Sequence, residues 1–295
     1  MALTASEPVS LKATGAVARR QAVSRASRWV LLVATLLGVS VLVFLAYDTV
    51  RNGWNVLSWD FLTSYPSRRA AFAGLRSSVL GTAWVMVFTI VIAIPMAVAT
   101  AVYIEEFAPK NWFTRLVRLN IANLAGVPSI IYGIVGLAVF VRMLGLGPSI
   151  LAGALTLALM ILPMTVIASS EAIRQVPPSI RDGSLALGAT QWQTVWFHVL
   201  PGAMPGIMTG TILSIARAAG ETAALIMIGA FAFIAFDNTS PFDDFTTVPI
   251  QIYNWTIRPG DAFRGNASAG IMVLMVAIVG MNLIAVLIRE RFRRY

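Results

Sequence analysis

An arginine and a glutamate four residues apart, Arg217 and Glu221 in SIARAAGETAALIMIG, stand inside an apolar run from 205 to 236. A charge at the centre of a membrane-embedded helix costs about 2.5 to 3.5 kcal/mol on insertion scales, so two of them require compensation. One compensation is mutual: the i, i+4 spacing puts both side chains on one helix face, where they can pair and lock the helix to its neighbours. The other is a ligand. A guanidinium donates two parallel hydrogen bonds and keeps its charge at any accessible pH, which suits a tetrahedral oxyanion such as phosphate. Glu221 would then temper the attraction so that bound anion can leave, or accept a hydrogen bond from a protonated phosphate. Gly220 and Thr222 would bring backbone and hydroxyl donors within reach. The residues by themselves specify an anion and no more.

The elements that must hold this pair are set by hydropathy. Of 295 residues, 58% are hydrophobic and only 12% charged, and the mean hydropathy is +0.78, too apolar for a water-soluble globule of this size. Spanning a hydrocarbon core about 30 Å thick takes roughly 20 apolar residues of helix. Six windows qualify: 29–47, 79–103, 121–141, 150–168, 205–236 and 269–288. No run of alternating ten-residue segments suggests a transmembrane barrel, so the expected fold is all-α, a polytopic membrane protein with six transmembrane helices. The first window is longer than a usual signal-peptide core and lacks a small-residue cleavage site, so it is read as a true span.

The absence of cysteine excludes disulfides, thiolate metal sites and thiol nucleophiles. His198 is the single histidine and lacks the partners a metal site or proton relay needs. Asn282 in the sixth window is read as a hydrogen-bonding residue between helices, and Pro163 in the fourth as a kink. Net charge of +9 raises nucleic acid as a partner, but the basic residues are arranged as a topology signal. With the N-terminus inside, the inner segments hold fourteen Lys and Arg and the outer segments seven, the positive-inside pattern. Both termini are therefore expected in the cytoplasm, membrane lipid is the surrounding solvent, and no nucleic acid is expected. The expected organisation is a basic, disordered or surface-lying tail over 1–28, a first span with its outer loop over 29–74, and a permease domain over 75–295. The outer acids Asp237, Asp243, Asp244 and Asp261 are candidates for facing a soluble partner.

The inner connection 169–206 is mostly uncharged and broken by Pro177 and Pro178. A short helix is expected over 179–187, capped by Ser179 and stopped by Gly188. Trp192, Val195, Trp196 and Val199 recur at helical spacing, predicting a second amphipathic helix that ends before Leu200 and Pro201. Apolar faces exposed to water imply a partner. Glu171-Ala172, Gly188 seventeen residues on, and Leu200-Pro201 resemble the EAA loop of ABC importer permeases, with Ile173 in place of the second alanine. The resemblance implies a coupling helix that docks on an ATPase subunit through some of Glu171, Ser179, Arg181, Asp182, Ala186, Leu187 and Gly188. Neither Lys12 nor Lys110 lies in a phosphate-binding G-x-x-x-x-G-K-[ST] loop, so hydrolysis is expected in a separate chain.

Three further segments carry a narrower resemblance. R-A-x-G-E-T, with Arg217, Gly220, Glu221 and Thr222, is similar to the fifth-span signature of phosphate ABC importer permeases of the PstA type. AGVPSIIYGIVG over 125–136, where Pro128 and Gly133 are expected to loosen the helix, and VPIQIYNWTIRP over 248–259 resemble the third span and last outer loop of the same family. The resemblance implies the type I, MetI-like permease fold in a bacterial inner membrane and a heterodimer with the homologous permease PstC. It also implies two PstB ATPases that bind ATP and Mg, PstS delivering phosphate from outside, and no cofactor or catalytic residue in this chain. Transport would proceed by alternating access. Sulfate or molybdate as the oxyanion, a proton-coupled carrier using Glu221, and a signalling scaffold that moves nothing are the alternatives.

Overall fold

The computed structural model describes residues 15–231, 233–259 and 261–292. Lys12, Arg293 and Arg294, counted above as inner cations, lie outside them. The described residues are almost wholly helical. The nearest approach to a sheet among them is one isolated bridge, Ser149 to Asp244, which ties an outer loop to the start of a span.

Two compact units divide the chain, 1–51 and 52–295. The first is made mostly of helix α1 (Ala16–Gly53), which starts thirteen residues before the expected 29. Arg19, Arg20, Arg25 and Arg28 are thus on a helix where a disordered tail was one expectation; Ala-rich, proline-free sequence at 16–28 lets the apolar span simply propagate backwards.

The second unit begins with α2 (Trp59–Thr63), capped by Ser58, and continues into α3 (Arg76–Val102), which runs on through a π turn over Tyr103–Phe107. Helix α4 (Trp112–Ala125) is capped by the Asn111 side chain and followed after a break by α5 (Ser129–Gly136) and a second π turn. The two are bent by 102°, because the residue before a proline avoids helical geometry and Pro128 cannot donate to the preceding turn. Helix α6 (Ile150–Arg174) follows, capped by Ser149. Next come the short α7 (Pro178–Ala186) and α8 (Gln191–Thr194), a third π turn over Val195–Val199, α9 (Leu200–Ala219) and α10 (Ala223–Met227). Helices α11 (Val248–Thr256) and α12 (Arg264–Phe292) complete the chain.

Among the described residues five helices are long and apolar enough to cross a membrane, and the bent pair Trp112–Ala125 with Ser129–Met143 makes a sixth span if counted as one. Helix α6 is the axle of the unit. Two thirds of its apolar window is buried inside the protein, and it packs on α3, α4, α5 and α9. On α9, Gly206 and Gly210 lie against Ala172 and Ala168 of α6; a Cβ added at either would meet the alanine Cβ at 2.6 and 2.3 Å. This is the small-xxx-small packing that lets membrane helices approach without a hydrophobic driving force.

Candidate substrate path and coupling surface

The fifth apolar window is not one helix. Gln191–Ala219 forms the span, and the backbone leaves helical geometry at Gly220, Glu221 and Thr222 before α10 begins. The window over 205–236 misjudged its end because residues beyond 222 are apolar for another reason: Leu225, Ile228 and Ile234 are core residues of this chain, packed against its own helices.

The break separates the charged pair. Arg217 sits in the last turn of α9 and Glu221 lies beyond its end, so the shared helix face required for i, i+4 pairing does not exist. Among the described residues no ion pair joins them. The Glu221 carboxylate turns instead to α10, where Oε1 accepts from the Ala224 N–H at 3.2 Å. Arg217 is exposed on this chain, with the Tyr132 phenol of α5 near enough to feel its charge. Tyr132 itself donates to the Leu124 carbonyl at 2.7 Å, across the α4–α5 break. Gly220 is exposed and Thr222 half-buried at the same break. Arg217, Glu221 and Tyr132 are thereby brought to two interrupted helices.

Non-helical backbone at membrane depth is tolerated only when buried in protein or lining a wet cavity, and interrupted helices supply substrate sites in transporters. Two breaks beside one cation fit a path. Its depth differs from the expected midpoint. Ala218, Ala219 and Glu221 share a cavity of about 10 Å³ with Leu157 of α6, room for a single water at most. At 1.5 Å per residue, Leu157 lies about 10 Å from the Ile150 end of α6 and about 26 Å from its Arg174 end. Gly133 differs too. It lies within α5 without breaking it, and its missing side chain admits α10: an added Cβ would meet the Ala224 carbonyl oxygen at 2.7 Å.

At the Arg174 end stands the region expected to couple to an ATPase. Helix α7 begins at Pro178, with proline at the first helical position, so Ser179 is inside the helix and does not cap it. Gly188 ends this segment with φ of +87°, a left-handed conformation that disfavours other residues. The following turn is closed by Thr190 and Gln193, which cap α8 reciprocally. The second amphipathic helix does not stop at Leu200-Pro201; it is the start of the span that carries Arg217. Val195 and Val199 are buried beneath it while Trp192 and Trp196 stack in the open, their ring centroids 5.9 Å apart.

The residues expected to couple divide into two groups. Ser179, Asp182, Ala186, Leu187 and Gly188 are all exposed, Leu187 to 91%, with Ile180 and Leu185 beside it. Arg181 faces the other way. Its guanidinium donates to Glu106 Oε1 at 2.7 and 3.1 Å and to the carbonyls of Val176 and Ile173 at 2.7 and 2.9 Å, so four of its five N–H donors are used within the chain. Glu171 is on α6, exposed, and paired with Arg174 at 2.9 Å.

Glu105 and Glu106 were missed by the sequence reading. They end the second apolar window and look like ordinary interfacial acids, yet their side chains are only 8% and 9% exposed. The signal available was their adjacency at the end of a span facing a loop with Arg118, Arg174 and Arg181. On the far side, Asp237 pairs with Arg76, whose Nε donates at 2.9 Å. The bond from Arg76 holds its carboxyl below the ordinary range. Asp243 accepts from the backbone N–H groups of Thr239 and Ser240, which lower its pKa likewise. Two of the four outer acids are therefore engaged within the chain.

Interrupted apolar spans around a central helix, with exposed apolar side chains on a short helix at one end, define a multi-pass membrane protein. Residues 70–294 match the family of binding-protein-dependent transport system inner membrane components, and the chain belongs to it. It is 34% identical to the probable ABC transporter permease protein YqgI of Bacillus subtilis over 83% of this chain and 88% of that one. It is 31% identical to the phosphate transport system permease protein PstA 1 of Mycobacterium tuberculosis (strain CDC 1551 / Oshkosh), over 84% and 82%. In fold it resembles a bacterial alginate importer chain (TM-score 0.64, 16% identity, 92% of this chain and 99% of that chain) and the MetNI methionine transporter (0.57, 19%, 74% and 94%). The likeness to these two establishes the type I permease fold.

Proposed function

We infer that this chain is a phosphate-conducting permease subunit, pairing with a homologous permease of the PstC type to enclose a path past Arg217. The observation that carries the reading is Arg217 itself: a cation at two helix breaks with no carboxylate in ion-pair reach among the described residues. A fork of guanidinium donors left without a protein acceptor is matched to a tetrahedral oxyanion. Similarity to PstA relatives supports phosphate over sulfate or molybdate. Gly220, Glu221 and Thr222 would complete the station, Glu221 limiting how tightly anion is held.

Two ATPase subunits of the PstB type would bind ATP and Mg and grip the exposed face around Ile180, Leu185 and Leu187. A PstS-type binding protein would deliver phosphate at the opposite end. ATP-driven closure of the ATPases would open the path outward, and hydrolysis would return it inward. In this arrangement the chain lies in a bacterial plasma membrane with both termini cytoplasmic and performs no catalysis of its own. Replacing Arg217 with Gln is expected to abolish phosphate uptake in reconstituted vesicles while the complex assembles normally. Normal uptake by that variant, or equal competition by sulfate and molybdate in the parent complex, would sink the phosphate assignment.

A further inference from the structure

Four segments meet at one pair of carboxylates. Glu105 and Glu106 lie in the π turn that closes α3, where the widened hydrogen-bonding pattern lets two adjacent side chains both point inward. Glu105 takes Arg118 of α4 on one oxygen and Arg174 of α6 at 3.0 Å on the other. Glu106 takes Arg181 of α7 at 2.7 and 3.1 Å, and its backbone carbonyl accepts from the Gln191 side chain at the start of α8. Both carboxylates are more than nine-tenths buried.

We propose that Glu106 and Arg181 form a rigid joint through which movement of the coupling helix α7 is delivered to α3, making both positioning residues for transport. The proposal rests on the reading of α7 as the ATPase-gripping helix. An amphipathic hairpin held only by apolar contacts slides; a planar guanidinium forked onto a buried carboxylate and two carbonyls has one geometry. The same joint takes in the middle of α4 through Arg118 and the end of α6 through Arg174, both held by Glu105, so a displacement at α7 reaches α3, α4 and α6 together. Helix α3 passes the cavity beside Glu221 through Thr82, Val85 and Met86, about 30 Å from Glu106 at 1.5 Å per residue.

The test uses the complete importer in liposomes, with inorganic phosphate as the transported probe, and reads three quantities: ATPase co-purification, ATP hydrolysis, and phosphate moved per ATP. Glu106→Gln and Arg181→Gln are each expected to keep the ATPase bound and hydrolysing while phosphate moved per ATP falls about tenfold. The double variant should be no worse than either single, since residues acting as a unit are not additive. Phosphate per ATP within twofold of the parent in Glu106→Gln, or a double-variant loss equal to the product of the singles, would overturn the joint. Should Glu106→Gln fail to assemble, Glu106→Asp decides. It keeps the charge and shortens the reach, so a normally assembled complex with reduced phosphate per ATP supports the joint and unchanged coupling refutes it. The docking reading fails separately, if Leu187→Asp leaves ATPase co-purification unchanged.

Discussion

Arginine is used in two opposite ways at the two levels of this molecule. At the Arg174 end, Arg118, Arg174 and Arg181 are each answered by a carboxylate. At the helix break, Arg217 has none among the described residues. A paired arginine fixes geometry, and its loss strands a buried acid; an unpaired one in a low-dielectric setting is an expense the fold carries for something that arrives later. The contrast separates arginines that hold structure from the one proposed to meet the transported anion.

Substituting Arg217 with Lys keeps the charge and removes the fork. We expect a loss of about 100-fold in uptake efficiency, on the scale of about 2.7 kcal/mol, with assembly unchanged; an uptake assay showing parent-like rates would mean that charge alone suffices and would blur the contrast. Gly210→Val forces α9 off α6, where overpacking costs about 1–3 kcal/mol. Its expected effect is a lower melting temperature and less assembled complex, with the half-saturating phosphate concentration unchanged in what remains. Arg118→Gln sharpens the comparison from the other side. Glu105 keeps Arg174, so the cost is about 1–2 kcal/mol of stability, again without a change in half-saturation; altered apparent affinity would show that this level also touches cargo.

The smallest effect concerns pH. Both Asp237 and Asp243 have carboxyl pKa values depressed below the ordinary 3.8. A depressed pKa means the folded state favours the ionised form. The stabilisation is complete above pH 4 and is lost as pH falls through the folded values. Proteolysis of the outer loop should therefore be flat from neutral pH to about pH 4 and accelerate below it. Acceleration already at pH 5 to 6 would assign the loop's order to other groups.

The architecture was legible where composition forces it. Apolar windows located the five long spans and the bent pair because lipid tolerates little else, and the resemblance of Glu171, Gly188 and Leu200-Pro201 to an EAA loop marked the exposed α7–α8 segment that we propose an ATPase grips. The end of the fifth span was not legible, because the sequence stays apolar through 236 although the helix breaks at 220–222, with Ala224, Leu225, Ile228 and Ile234 beyond the break buried in the chain's own core. Arg217 stood out by its expense, but its pairing was misjudged: i, i+4 spacing presumes a helix, and Gly220 ends it. Arg181 could not be told from its exposed neighbours Ser179 and Asp182, since which face of α7 is buried depends on Glu106, 75 residues earlier in the chain. Long-range pairing of that kind leaves no periodic trace in sequence.

The exposed α8 turn and the cation share one rod. From Gln191 to Ala219 the chain is a single helix, so Trp192 near one end and Arg217 near the other are separated by about 38 Å of continuous backbone. Such a rod is a lever arm: a tilt of about 10° pivoted at that turn would sweep the guanidinium through about 6 to 7 Å on that length, more than the width of a hydrogen bond. Compliance is concentrated near the pivot, in the π turn at Val195–Val199 and at Pro201 and Pro205. Those few residues set how much of a small displacement on one side of the bilayer is delivered as a large one deep inside it.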